Sequence, residues 1–475
     1  MASELQEALT AANAGALIAK EIDPLLYDLT RRYAPLLVAL PSLQIGSNIY
    51  NFNTRTTRVP GGFVTDGGAR PVGTSTYVQT PFTVKLLQAV GAVTGFSQEV
   101  TRQVIGDLQR QEIESAVTGL TWDIENGIMW GNAAATANGL WPQFDGLDTQ
   151  ISQFTTGGSI PVNALDESAT AVPATLALRH LDLLIDIVSQ NAAQPIVGSD
   201  WMFVASTTAI SKVAQLLVNQ QRFLGNGEGM TLAPGLNVPS YRDIPLVSSS
   251  FLGSRGTQMS AITAGTATTG GSLPASSTYK YYVSPVFARA GEAQPQATEV
   301  SQATGSGTAT NTITLTFTPP TGFQSNGPVL YKVFRTAAGG SSNTETLLGY
   351  VDAVANVSSD GITPVYTTTI TDTGTALVPS ASGGTSLQTP TTYFGTNAGE
   401  QPRWNSSGTQ GEDIYLISRN RDNVVRPYVR NIQPINLAPT VLQPDALPFA
   451  LVADTCLAVR APTFASRLRN VSVAL

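Results

Sequence analysis

Residues 121–132, TWDIENGIMWGN, set two carboxylates, Asp123 and Glu125, between Trp122 and Trp130. Paired carboxylates cleave glycosidic bonds when they face each other across a substrate, roughly 5–10 Å apart. On a helix, residues two apart point to roughly opposite sides. The pair therefore reads as solvated flanks of an apolar stripe through Ile124 and Ile128, with a partner from elsewhere in the chain left open. His180 is the one histidine, so a Ser-His-Asp triad would have to use it. It lies mid-helix in LALRHLDLL with no G-x-S-x-G elbow to serve, and reads as a surface or partly packed residue. Asp145 and Asp148, in FDGLDTQ, lack the ligand spacing of a calcium loop and read as a turn. GNGEGM (225–230) has no Lys-Ser/Thr and follows a helix, so it reads as a loop and not a phosphate cradle. Cys456, in ADTCLAV, reads as packed in an apolar strand. The basic cluster SRNRDNVVRPYVR holds Arg419, Arg421, Arg426 and Arg430, spread along strands; it suits salt bridges to a neighbouring chain as well as nucleic acid. No catalytic, cofactor or metal site emerges.

Helical and extended segments along the chain must position these groups. IDPLLYDLTRRYAPLLVAL is a short helical stretch punctuated by Pro35 and Pro41. Residues 43–90 alternate, turn Gly-rich in PGGFVTDGGARPVG, then alternate again, which predicts a long β-hairpin or loop with a flexible tip. From Ser97 to about Gly131 an apolar stripe at helical spacing, with a small register shift, predicts one helix about 45 Å long with Ser97 as its cap. Residues 165–260 read as mixed α/β. At about residue 262 the composition becomes Gly/Ser/Thr/Ala-rich, and VPSASGGTSLQTP (378–390) closes the far side. Between them lie short alternating segments of a β-sandwich, with Ile313, Leu315 and Phe317 facing in and Thr312, Thr314 and Thr316 facing out. The last segments return to strand alternation and must rejoin the first domain, since neither is long enough to bury a core alone.

The 475 residues carry only 12% charged side chains, about half the usual share. That fits a protein with many contacts to neighbours, because interface centres shed charge. A net charge of −7 argues against gripping nucleic acid by phosphate neutralisation. One cysteine excludes an intramolecular disulfide and a multi-thiolate zinc site. The first residues carry acids and no continuous apolar core, so they do not read as a signal peptide, and no run approaches the roughly 18 apolar residues of a membrane span.

The order of these elements resembles the major capsid proteins of tailed bacteriophages, the Hong Kong 97 type fold. The expectation is an α+β chain with an N-terminal arm at 1–42, an E-loop at 43–90 and a peripheral domain at 91–165 whose spine helix is 97–131. An axial domain would follow at 166–261, and 386–475 would return through both domains. WPQFDGLDTQI, SDWMFVASTTAISKVAQLL and EDIYLISRN look like the family's segments in those places. Residues 262–385 separately resemble fibronectin-type or immunoglobulin-like sandwiches through YKYYVSPVFARAGEAQP and YTTTITDTG, and would be an inserted all-β domain on the outer face. The resemblance implies a structural, non-enzymatic protein that self-assembles into hexamers and pentamers of an icosahedral head around double-stranded DNA. It would be built in the host cytoplasm with a separate scaffolding protein, a portal and a cement protein as partners, and without cofactors. Phe63, Val64, Asp66 and Arg70 at the loop tip, with Arg419, Arg421, Arg426 and Arg430, are the expected subunit contacts. The tip has no lysine, and Lys85 lies past the second arm, so noncovalent joining is expected. An encapsulin-like shell, or a surface adhesin or polysaccharide-binding protein, are the alternatives.

Overall fold

A computed structural model of the chain describes residues 34–69, 72–102, 107–133, 142–151, 163–166, 174–196, 198, 200–224, 230–233, 236–238, 240–252, 257–288, 290–321, 327–360, 363–379, 386–387, 391–392, 395–396, 401–403, 411–437 and 445–473. The arm before residue 34, Arg70 and most of the 225–230 loop lie outside them. The described elements are α+β, strands predominating, with six α-helices.

In chain order, α1 (Leu36–Ala39) leads to β1 (Ser42–Gln44) and then to a hairpin of β2 (Ile49–Arg55) and β3 (Tyr77–Thr83). Then come β4 (Lys85–Thr94), α2 (Gly95–Thr101), α3 (Leu108–Trp130) and α4 (Leu147–Gln150). Next are β5 (Ala164–Asp166), α5 (Leu178–Ala192), β6 (Trp201–Ala205), α6 (Thr207–Leu224) and β7 (Ile244–Ser248). A purely β stretch follows: β8 (Thr263–Ala267), β9 (Thr278–Phe287), β10 (Gly291–Glu292), β11 (Val300–Ala303), β12 (Thr312–Thr316), β13 (Pro328–Arg335), β14 (Thr346–Asp352), β15 (Thr369–Asp372) and β16 (Leu377–Pro379). The chain ends with β17 (Gly411–Ser418), β18 (Val424–Asn436), β19 (Ala446–Thr455) and β20 (Ser466–Ser472).

Two units can be distinguished: residues 1–31, 89–118 and 434–451, and residues 32–88, 119–433 and 452–475. In the smaller, Thr94 caps α2 by accepting the Ser97 N–H at 3.3 Å. Asp445 receives the Gly95 and Phe96 N–H groups, on its carbonyl at 2.7 Å and on its carboxylate at 3.1 Å. The single helix expected over 97–131 is two helices. Ser97 is inside the first, and Asp107 starts the second by accepting the Arg110 N–H at 3.2 Å. Asp107 thus supplies a fresh N-cap close to where the apolar stripe shifts register.

In the larger unit, six strands form one mixed sheet in the order β5–β20–β17–β6–β7 and then Ser240–Tyr241. β6 and β7 run parallel, and β17 pairs antiparallel with β6 from Ile414↔Ala205 to Ser418↔Trp201. The C-terminal strands therefore complete the sheet begun by β6, as a tail too short for its own core must. Leu181, Leu184 and Val188 of α5 pack with Phe203, Leu246, Ile414 and Leu468 in its core. The described residues of 263–387 hold two main antiparallel sheets, one ordered β8–β12–β15–β16 and one running β10–β9–β13–β14 with β11 on β9, and a two-stranded one of Val354–Val357 with Pro364–Tyr366. Tyr281, Val283, Ile313, Leu315, Tyr331, Val333 and Ile370 fill the space between the two main sheets. Thr316 is exposed as its alternation requires, but Thr312 is buried, with its methyl against the backbone at Gly271. The opposite face of the larger sheet is buried as well: Tyr282, Val286, Leu330, Phe334 and Tyr350 form a second apolar cluster there.

Candidate functional site

Glu125 corrects the expectation of two solvated flanks. It is 0% exposed, and its carboxylate accepts the Leu36 N–H at 3.1 Å on Oε1 and the Leu37 N–H at 3.0 Å on Oε2. Ser249 Oγ donates to Oε1 at 3.3 Å. Burial pushes the group up to about 7 against these three donors. It therefore serves as an internal cap that holds the start of α1 on α3. Asp123, two residues earlier, is half-buried and lines a groove of about 300 Å³ with Lys85, Leu86, Leu120, Phe144 and Val329. The two carboxylates do not face a common space, so the glycosidase arrangement is absent at this pair.

Next to that helix lies a constellation that the sequence did not reveal. Asp148, read as part of a turn, is on α4 and fully enclosed by cations. Arg467 Nη1 is 2.6 Å from its Oδ1, Lys332 Nζ 3.2 Å from its Oδ2, and the Tyr415 hydroxyl donates to Oδ1 at 3.1 Å. Lys332 also meets Glu292 Oε2 at 2.9 Å, and Arg469 grips Glu292 through two N–H donors at 2.9 and 2.7 Å. Arg403 pairs with Asp413 and lies 4.6 Å over the ring of Trp130. Every one of these charged side chains is at most 8% exposed. Burial alone would raise the Asp148 carboxyl, but Lys332 and Arg467 outweigh it and hold the group well below the carboxylate range. Burial likewise opposes Arg469 and Lys332 at Glu292, where the cations win and the value falls to about 2. At Asp413 burial prevails over Arg403 and raises the group to about 6.

This network joins two parts of the larger unit. Glu292 and Lys332 belong to the outer face of the two-sheet segment; Asp148, Arg403, Asp413, Arg467 and Arg469 belong to the remainder. Asn126 Nδ2 makes a further contact of this kind to the Ala288 carbonyl, while Trp130 is anchored within the remainder by its Nε1, which donates to the Phe251 carbonyl at 2.7 Å. Gly291, at φ +70°, leaves no room for a side chain, since a Cβ there would lie 2.4 Å from Trp130 Nε1. One sequence signal pointed here. In SRLRNVSV, Arg467 and Arg469 alternate along a strand that is buried at every position, and charges recurring on one face of an apolar strand require buried partners.

The hairpin differs in being open. Its seven residue pairs run from Ile49↔Thr83 to Arg55↔Tyr77, and the two strands form a sheet of their own. Its root is fixed by Phe52 stacked on Phe82 at 5.7 Å and by Arg460 over the Tyr50 ring at 5.4 Å. Beyond that, Ile49, Val59, Phe63, Val64, Val72, Tyr77 and Val78 are all exposed. At the tip the Gly68 N–H closes a turn on the Thr65 carbonyl at 2.8 Å, with Gly67 at φ +73°. Phe63 is fully exposed, and Val64 and Asp66 are exposed beside it.

The four arginines of the basic cluster separate. Arg421 is exposed at a turn and Arg419 half-buried beside it. Arg426 is only 6% exposed, lies over the Tyr428 ring at 5.4 Å and donates to Thr455 Oγ1, so it is spent within the chain, contrary to the expectation of a subunit contact. Arg430 holds Asp454 through two donors. His180, expected at the surface or partly packed, is buried at 2% exposure; its Nδ1 accepts the Ala177 N–H at 3.1 Å at the start of α5. Cys456 is buried, and burial pushes its thiol up to about 12, which disfavours the thiolate. Among the described residues there is no group of three or more His, Cys, Asp or Glu placed to hold a metal, and no helix long and apolar enough to cross a membrane.

No family model and no curated protein matches the chain. Solved structures do. The capsid of cyanophage A-1(L) is 12% identical with a TM-score of 0.46, covering 98% of this chain and 99% of that one. The capsid of cyanophage P-SCSP1u is 10% identical with a TM-score of 0.46, covering 96% and 93%. The encapsulin of the holo-SrpI complex from Synechococcus elongatus PCC 7942 is 10% identical with a TM-score of 0.42, covering 98% and 96%. At these identities and scores none of them assigns a role to a residue of this chain.

Proposed function

We propose that this chain is a structural subunit of a closed protein shell, a major capsid protein that tiles in hexamers and pentamers around double-stranded DNA. The observation that carries this reading is the hairpin of residues 49–83. A lone two-stranded hairpin is marginally stable in water, yet this one leaves seven large apolar side chains exposed among the described residues. Such a surface requires a partner. In a shell made of one repeated chain the partner is the next copy, which receives the tip at Phe63 and Val64 and offers charges to Asp66 and Arg70. Arg421 and Arg419 are the remaining basic contacts. Under this reading the hairpin is the E-loop, α3 the core of the spine helix, β5 to β7 with β17 and β20 the axial domain, and residues 262–385 an inserted immunoglobulin-like module.

The low charged fraction and the net charge of −7 support a container and not a DNA-gripping protein. The test is negative-stain electron microscopy with light scattering on the purified protein, alone and co-expressed with candidate scaffolding partners. Closed shells, tubes or rings of five and six copies are the expected result. A monomer under every condition would overturn the proposal. Shells that co-purify with enzyme cargo would place the protein with encapsulin compartments instead.

A further inference from the structure

The edge of the two-sheet segment carries an acid pair that shell building does not use. Glu345 ends the turn between β13 and β14, whose residues 337–339 and 341–342 are exposed. Glu345 itself is 1% exposed, and both its carboxylate oxygens are buried without a hydrogen-bond donor from any other residue. Glu299, just before β11, is within hydrogen-bonding reach of it, and its Oε2 is buried and undonated in the same way. The donors close by are spent on the other oxygen. Lys280 Nζ is 3.0 Å from Glu299 Oε1 and 2.5 Å from Ser342 Oγ, and Ser342 Oγ donates to that same Oε1 at 2.6 Å.

Three buried carboxylate oxygens thus lie together with no hydrogen supplied between them, and leaving them so costs several kcal/mol, on the order of a lost charged hydrogen bond or more. Two carboxylates against one ammonium also leave a net negative charge. One proton neutralises the set and supplies the missing donor. A divalent cation would instead leave a positive charge beside Lys280. We propose that Glu345 is a protonated acid in mildly acidic solution and donates its proton to Glu299 Oε2, a clasp that holds the turn of residues 337–344 against the sheet and opens as the pH rises through neutrality.

Burial pushes Glu345 up to about 7, and the facing Glu299 adds to the rise. Glu299 is lowered in spite of its burial by Ser342 and Lys280, so of the two acids Glu345 keeps the proton. The groups that face the pair are Lys280 and Tyr282 from β9 and Ser342 from the turn. Burial raises the Tyr282 hydroxyl, and Glu345 and Glu299 raise it further, so it stays neutral throughout. Opening is therefore governed by the one proton between the acids, and it leaves two like charges pressed together under the turn.

The clasp is independent of shell assembly and can be read on the full-length protein. Infrared difference spectra taken between about pH 5 and 9 report protonated carboxyls directly. Glu125 and Asp413 are raised into the same range, so the signal is the difference between the parent protein and Glu345→Gln. A protonated-carboxyl component that fades near neutrality, disappears in Glu345→Gln and moves to lower pH in Glu299→Gln is expected. Amide exchange in residues 337–344, corrected for intrinsic rate, should rise severalfold above the transition in the parent protein. In Glu345→Gln, whose amide donates permanently, it should not change with pH. Superimposable spectra for the parent and both variants would overturn the proposal. So would a protonated component that calcium displaces at neutral pH. If Glu345→Gln does not fold, Glu299→Gln carries the same comparison.

Discussion

At the scale of residues, two carboxylates that look alike in sequence have opposite electrostatic fates. Glu125 meets only neutral donors, so burial wins and its pKa lies at about 7, above the ordinary 4.5. A raised acid binds its proton more tightly in the folded state, so its contribution is fully present below about pH 4.5 and is lost as the pH rises to about 7. The loss is on the order of 3 kcal/mol at one pKa unit per 1.4 kcal/mol. Chemical denaturation across that window should show this decline, and Glu125→Gln should flatten it while lowering stability at acid pH by about 1–3 kcal/mol through the displaced N–H donors. Asp148 and Glu292 carry the opposite sign: their cations stabilise the fold above the usual carboxylate range, and that stabilisation is lost only in strong acid. Removing one member, as in Asp148→Asn or Lys332→Met, should cost about 3–5 kcal/mol by leaving a buried charge unpaired. A Lys332→Met/Asp148→Asn double variant should cost less than the sum of the two, which a double-mutant cycle in urea would measure. None of this was legible from the sequence around residue 148. Its partners lie 184 and 319 positions away, and spacing along a chain carries no record of such contacts.

At the scale of elements, periodicity was a good guide where one face alone is buried. The hairpin arms, α5 and the inward-facing Ile313 and Leu315 follow from it. It failed at Asp107, whose side chain accepts the Arg110 N–H and starts a second helix inside an otherwise continuous apolar stripe. It also could not distinguish a flank from an anchor at Glu125, because the N–H groups that Glu125 receives come from α1, 88 to 89 residues earlier. The hairpin gives the element-scale prediction. Replacing residues 57–75 by a two-residue turn should leave the thermal unfolding of the isolated subunit nearly unchanged, since no described residue of the tip is buried. The same change, or Phe63→Asp alone, should abolish shells and rings in electron micrographs. Shells formed normally by Phe63→Asp would remove the hairpin tip as the contact.

At the scale of the whole molecule, the order of elements along the chain was legible early, while the seating of the two-sheet segment was not. Composition marked residues 262–385 as a module bracketed by flexible linkers, which suggests a body on a tether. Instead, Glu292 and Lys332 seat it on Asp148 and Arg469 through contacts that water does not reach. An Asp148→Asn/Glu292→Gln variant should therefore loosen this seating, read as faster amide exchange in β13 and β20 with exchange in β12 unchanged; equal exchange in all three strands would remove the ion pairs as its anchor.

That seating has a consequence for descent. A lineage that acquired or discarded the segment in a single recombination would inherit a buried Arg469 without its carboxylate, since Asp148 keeps Arg467 and Arg403 keeps Asp413 whether or not the segment is there. Gain or loss of the segment must then have been accompanied by a change at position 469, far from the splice. The ancestry of the segment should accordingly be recorded in the last ten residues of the chain as clearly as in the segment itself.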